Sequence, residues 1–146
     1  MTRTSTAMAI LWGGIVAGLV DFCAAMLINL KGPVFIGHAV ASGLFGRASF
    51  DGGAATALLG FLLHMSMALA IAMVFVLTGN IWRELRRRWL VAGLVYGVII
   101  FVVMNFVVVP LSAIHRMPHV TAPWLVLNLA AMLLFGVIVA FFARAK

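Results

Sequence analysis

Four apolar runs, at residues 7–30, 54–78, 90–109 and 124–142, take up most of this 146-residue chain and leave it few folds to adopt. The hydrocarbon core of a bilayer is about 30 Å thick, and a helix needs about 20 apolar residues to cross it. The runs are apolar nearly all round, which suits lipid on every side and not the single buried stripe of a soluble helix. Hydrophobic residues make up 66% of the chain and charged ones 9%, too few charges to cover a water-soluble domain of this size. Strands of a membrane β-barrel would be shorter and would alternate. The expected fold class is all-α: one polytopic membrane domain over residues 1–146, a four-transmembrane-helix bundle.

Arg3 followed by the first part of the first run has the outline of a signal peptide. The run continues past Asp21 to Leu30 without a convincing cleavage site, so an uncleaved first span is expected. The net charge is +7. Its distribution argues for membrane topology and against a nucleic-acid partner. Arg83, Arg86, Arg87 and Arg88 share the connection between the second and third runs, Arg3 precedes the first, and Arg144 and Lys146 follow the fourth. Only Lys31, Arg47 and Arg116 fall on the opposite side. This is the positive-inside pattern, and it puts both termini and the basic loop in the cytoplasm. Such a loop also suits anionic headgroups, at about 1 kcal/mol per charge near the surface. Cys23 is the one cysteine, which excludes an internal disulfide and CxxC chemistry; it reads as a small packing residue.

The outer connection between the first two runs is long enough for a short helix, at 33–46, with Pro33 at its first position and Gly46 as its stop. Ile36, Val40, Leu44 and Phe45 form its apolar stripe, and His38 and Ser42 fall on another side. It is expected to lie in the outer interface, with a re-entrant course as the alternative. Asp51 is placed to cap the second span. Trp12, Trp82, Trp89 and Trp124 stand near span ends as interfacial anchors. Pro110 is expected to end the third span, and Pro123 to open the fourth from a Thr121 cap. His38, His115 and His119 are conceivable ligands, but their spacing across a proline-containing loop is not diagnostic, and no metal is expected.

One strongly polar residue sits in each run: Asp21, His64, Asn105 and Asn128. Each lies about 14–15 residues, or about 21–23 Å, from the cytoplasmic end of its run. An Asp at a helix centre costs about 2.5–3.5 kcal/mol on insertion scales, so these groups are expected to face inward as a common layer. Asp21 shares a face with Gly14, Gly18, Ala25 and Asn29, and His64 with Gly60 and Met67. Gly14-x-x-x-Gly18 and Gly93-x-x-x-Gly97 are close-packing motifs. Ala17-Gly18-Leu19-Val20 recurs as Ala92-Gly93-Leu94-Val95, which suggests two parallel helical hairpins. The layer has two readings: a hydrogen-bond network that fixes helix register, or an Asp21/His64 pair that binds protons. A second intramembrane histidine for haem, a nucleophile–base pair, an HExxH motif and a P-loop are all missing, so no enzyme activity and no cofactor are expected.

Several stretches in order carry a resemblance. They are Ala41-Ser42-Gly43-Leu44-Phe45-Gly46; Gly52-Gly53-Ala54-Ala55-Thr56-Ala57-Leu58-Leu59-Gly60 leading to Leu63-His64; Gly93-Leu94-Val95-Tyr96-Gly97; and Met104-Asn105-Phe106-Val107-Val108-Val109-Pro110-Leu111-Ser112. Over about residues 10–142 the chain resembles the YagU-like bacterial inner-membrane proteins, a family of unknown function. The resemblance implies a multi-pass protein of the bacterial inner (plasma) membrane. It implies no activity, cofactor or catalytic residue. Members of that family often carry a histidine where Asn128 stands here. The expected function is a non-enzymatic scaffold or accessory subunit, as a homo-oligomer or within a larger membrane complex. The alternative is a proton-linked small-solute transporter built on Asp21 and His64.

Overall fold

The computed structural model describes residues 3–115 and 120–144. Arg116, Pro118, His119 and Lys146, and the side chain of Arg3, lie outside the described residues. The helices are α1 (Arg3–Asn29), α2 (Pro33–Phe45), α3 (Gly53–Ile81), α4 (Arg83–Arg87), α5 (Trp89–Val103), α6 (Val109–Leu111) and α7 (Ala122–Ala143). A 3-10 turn at Gly46–Asp51 leads into α3, and a π turn at Met104–Val108 joins α5 to α6. Four segments have the length and apolar character to cross a bilayer: Ser5–Asn29, Gly53–Ile81, Trp89–Leu111 and Ala122–Ala143. The protein is an all-α four-helix bundle and, by these segments, a multi-pass membrane protein.

α1 packs between α3 and α7, α7 packs between α1 and α5, and α2 lies on α3. Lipid tails are as apolar as leucine, so burying leucine gains little here, and small residues that let backbones approach matter more. The buried core follows that rule: Ala9, Ala17, Ala68, Ala72, Ala140 and Ala143 surround Phe75, Val76, Phe135 and Val139. Large side chains such as Leu19, Leu62, Val95 and Val126 face outward. Each hairpin closes on its own glycine motif. A Cβ on Gly14 would meet the Leu69 Cα at 2.9 Å, and one on Gly18 the Ala68 Cβ at 2.8 Å, both on α3. A Cβ on Gly93 would meet the Gly136 carbonyl at 2.8 Å, and one on Gly97 the Leu133 Cα at 2.7 Å, both on α7. Gly136, an isolated glycine in the fourth run, presses in turn on Gly93 and Gly97.

Four local expectations need correction. Pro110 does not stop the third span, which runs on to Leu111. Proline lacks an N–H and crowds the carbonyl four residues back; the π turn immediately before it loosens that ladder and lets the helix pass. The expected stripe does not act as one face of the helix at 33–45: Ile36 is buried and Val40 half-buried, while Leu44 and Phe45 are exposed. The buried face of α2 is Ile36, Gly37, His38, Ala41 and Ser42, because Gly37 and Gly60 bring the α2 and α3 backbones into contact. Asp51 gives no cap hydrogen bond to α3; Gly52 holds the cap position, and Gly53 turns the chain with φ 65°. Cys23 is exposed on α1 and is not part of the packing.

Two loop contacts finish the end of the bundle away from α4. The Ala113 N–H donates to the Gly43 carbonyl at 2.9 Å, tying α2 to the segment after α6. The Thr121 hydroxyl accepts from the Trp124 N–H at 3.4 Å, and Pro123 stands in the first turn of α7. The glycine contacts give a direct prediction. Gly136→Leu is expected to destabilise the bundle by about 1–3 kcal/mol, the usual cost of overpacking. Gly32→Ala, at an open position with nothing within 4 Å, should change stability by less than about 0.5 kcal/mol. Detergent or SDS unfolding monitored by circular dichroism reads both.

Candidate functional site

α1 and α3 approach closely at Gly18, and this brings His64 within reach of α1. The His64 Nε2 lies 3.0 Å from the Gly18 carbonyl oxygen. A carbonyl only accepts, so Nε2 carries the proton there. The same nitrogen is 3.8 Å from Asp21 Oδ2, an ion-pair distance but too long for a hydrogen bond. Phe22 packs edge-on against both His64, at 5.4 Å between ring centroids, and Phe61, at 5.1 Å. Side-chain exposure is 15% for Asp21 and 17% for His64, so the pair is screened but not sealed. A proton arriving at Nδ1 would make the ring a cation beside the carboxylate. The arrangement can therefore clasp two helices and can also hold a proton.

The two asparagines are not joined to this pair. Asn105 sits in the π turn and donates from Nδ2 to the Phe101 carbonyl at 2.9 Å, a bond within its own chain segment. The π turn departs from the regular ladder, and the side chain adds a donor to a carbonyl that also accepts from the Met104 N–H. Asn128 is half-buried on α7 and makes no hydrogen bond to the described residues.

Other polar contacts between helices had no place in the expected layer. The Tyr96 hydroxyl donates to the Ile71 carbonyl at 2.7 Å, with its ring 5.0 Å from that of Phe75. A signal for it did exist: Tyr96 follows Ala92-Gly93-Leu94-Val95 as Asp21 follows Ala17-Gly18-Leu19-Val20. Asn80 on α3 donates to the Thr6 hydroxyl of α1 at 3.2 Å. Its Oδ1 is buried without a partner among the described residues. At the end of the bundle away from α4, the His38 Nε2 is 2.7 Å from the Gly53 carbonyl, and the Ser49 hydroxyl donates to the His38 carbonyl at 3.0 Å. The His38 ring nitrogen nearest α3 is thereby occupied by backbone.

The basic loop is a short helix, α4, and its arginines differ. Arg88 pairs with Glu84 at 2.7 Å and Arg87 with the same carboxylate at 3.9 Å, all well exposed. Such exposed pairs contribute at most about 1 kcal/mol. Arg86 is half-buried and donates from Nε to the Ala143 carbonyl at 2.9 Å, closing the end of α7. Arg144 stacks over the Phe141 ring at 3.8 Å. Trp89 packs on Phe141, and Trp12 and Trp82 are exposed.

Comparison with family models, with curated proteins and with solved structures gave no match.

The Asp21–His64 pair should show a coupling of about 0.5–1.5 kcal/mol in a double-mutant cycle of Asp21→Ala and His64→Ala, the range for polar contacts between membrane helices. Zero coupling would leave the His64 bond to the Gly18 carbonyl as the whole of the clasp and remove Asp21 from it. In the same unfolding assay Asn105→Leu is expected to cost about 0.5–1 kcal/mol through loss of its bond to the Phe101 carbonyl, which keeps the Met104 N–H. Asn128→Leu should leave stability unchanged or raise it.

Proposed function

We propose that this chain is a non-enzymatic protein of the bacterial inner membrane, a scaffold or accessory subunit that works through its helix surfaces. Both termini and α4 face the cytoplasm in this reading. The supporting charge pattern is the collection of Arg83, Arg86, Arg87, Arg88 and Arg144 at one end of the bundle. Homo-oligomers or a larger membrane complex are the proposed context, and the long lipid-facing ridges of large apolar residues are the surfaces available for it. Kinship with the YagU-like proteins is part of the proposal. The stretches that carry the resemblance coincide with unusual backbone: the left-handed Gly46 and Gly53, the Gly60 contact, the Gly93–Gly97 contact and the π turn before Pro110.

The observation that carries the structural reading is the use made of His64. Its Nε2 is given to the Gly18 backbone, and its ring is held by Phe22, so it serves first to fasten α3 to α1. One observation favours the second reading, a proton-linked small-solute transporter. An intramembrane carboxylate and imidazole lie 3.8 Å apart with part of each side chain accessible.

Reconstitution in liposomes separates the two. The interior carries a pH-sensitive dye, and gradients of small cationic, zwitterionic and anionic solutes are imposed in turn. The scaffold reading expects proton flux equal to that of empty liposomes for the wild type and for Asp21→Asn. It also expects Asp21→Asn to melt several degrees lower in detergent. Solute-driven proton flux that disappears in a folded Asp21→Asn protein would replace it with the transporter.

A further inference from the structure

A cavity of about 950 Å³ opens at the arginine-rich end of the bundle, between α1, α4 and α7. Its size is near the top of the range that holds drug-sized ligands, about 300–1,000 Å³. Arg83, Arg86, Arg87 and Arg144 line it, with Glu84 as the acidic residue. Glu84 already faces Arg88 at 2.7 Å and Arg87 at 3.9 Å. Among the described residues, Arg83, Arg86 and Arg144 have no carboxylate partner. Apart from Ser5, the remaining wall is apolar and continuous with the outer surface of the helices: Ala9, Met8 and Trp12, the last two about half exposed, and Phe141 and Phe142.

The geometry points to a site for one anionic glycerophospholipid, its phosphate held by Arg83, Arg86 and Arg144 and its acyl chains lying along Trp12 and Phe142. The site joins two chemistries that a lipid also joins. Guanidinium groups bind phosphate through paired N–H donors. Arg86 is held for this, because its Nε–H is fixed on the Ala143 carbonyl and the rest of the planar fork is set in place by that bond. Arg144 is held by the Phe141 ring. The aromatic and methionine wall lies in the first turns of α1 and the last of α7, where a span meets the headgroup region. Basic pockets between spans at the cytoplasmic face are recognised places for anionic headgroups. A soluble phosphate compound would use the arginines but would leave that apolar wall without a partner.

The full-length protein in nanodiscs of phosphatidylglycerol mixed with phosphatidylcholine tests the assignment. Native mass spectrometry reads which lipid stays bound on release. The wild type is expected to retain phosphatidylglycerol selectively, and Arg83→Gln/Arg144→Gln to weaken that retention about tenfold or more. Arg47→Gln/Arg88→Gln removes the same charge outside the cavity and should keep it. Melting in pure phosphatidylcholine discs checks folding of each variant. If the glutamine pair does not fold, Arg83→Lys/Arg144→Lys takes its place, with weaker retention expected because lysine lacks the planar fork. Equal losses in both double variants would overturn the built site in favour of diffuse surface charge. No selectivity for phosphatidylglycerol would overturn it outright. Stabilisation by inorganic phosphate in neutral detergent matching that by phosphatidylglycerol would assign the cavity to a soluble anion and overturn the lipid.

Discussion

Backbone-to-backbone contact at glycine is the interaction on which this bundle rests. In water, large apolar side chains draw helices together; in lipid they are as well solvated outside as inside. What remains is close van der Waals contact and weak Cα–H···O attraction, and both require that Cβ atoms be missing from the seam. Gly14 and Gly18 press α1 on α3, Gly93 and Gly97 press α5 on Gly136 of α7, and Gly37 presses α2 on Gly60. The polar contacts follow from that spacing. His64 reaches the Gly18 carbonyl because the glycine that offers the carbonyl is also the one that lets α3 come near.

The same physics decides what could be read from residues alone. The spans were legible because length and uniform hydrophobicity are what a bilayer selects. The glycine motifs were legible as motifs, but their partners were not, since Leu69 and Gly136 carry no local mark of facing a glycine. α2 shows this most clearly. A stripe of Ile36, Val40, Leu44 and Phe45 would mark the buried face of a helix in a soluble protein. Here only Leu44 and Phe45 of that stripe lie outside, and Ile36 lies inside together with Gly37, His38, Ala41 and Ser42. Equal depth misled in the polar layer for a related reason. Depth fixes the height of a side chain and says nothing of its direction. Asn105 turned to its own helix, where its amide adds a second donor to the Phe101 carbonyl. Asp51 lost its cap role because Gly52 and Gly53, not the carboxylate, set the entry of α3.

The arginines illustrate how one cluster holds two kinds of group. Topology requires only charge, and the exposed Arg87 on α4 and Arg88 just after it fulfil that with Glu84 beside them. Arg86 does something a topogenic charge need not do, since it satisfies a terminal carbonyl of a different span. That bond links α4 to α7, so the basic loop is part of the bundle's architecture. Its short helix exists because Trp82 and Arg88 interrupt the path from α3 to α5 with non-helical backbone, which folds five residues back under the helix ends.

Four of the polar contacts between helices meet on α3. His64 takes Gly18 of α1, the Ile71 carbonyl takes Tyr96 of α5, Asn80 takes Thr6 of α1, and the Gly53 carbonyl takes His38 of α2. Hydrogen bonds of this kind contribute only about 0.6 kcal/mol each on average in a membrane. They are too weak to assemble helices that the glycines do not already hold. Their effect is selective. A glycine seam permits neighbouring helices to slip by a turn with little loss of contact, because one small residue resembles the next. A donor aimed at a single carbonyl does not tolerate that slip. In the two hairpins the residue that follows the repeated Ala-Gly-Leu-Val differs, Asp21 in one and Tyr96 in the other, yet the local polar contacts of both lead to α3. α3 is thus the helix against which α1, α2 and α5 set their register, and the ionisable pair bridges it to α1.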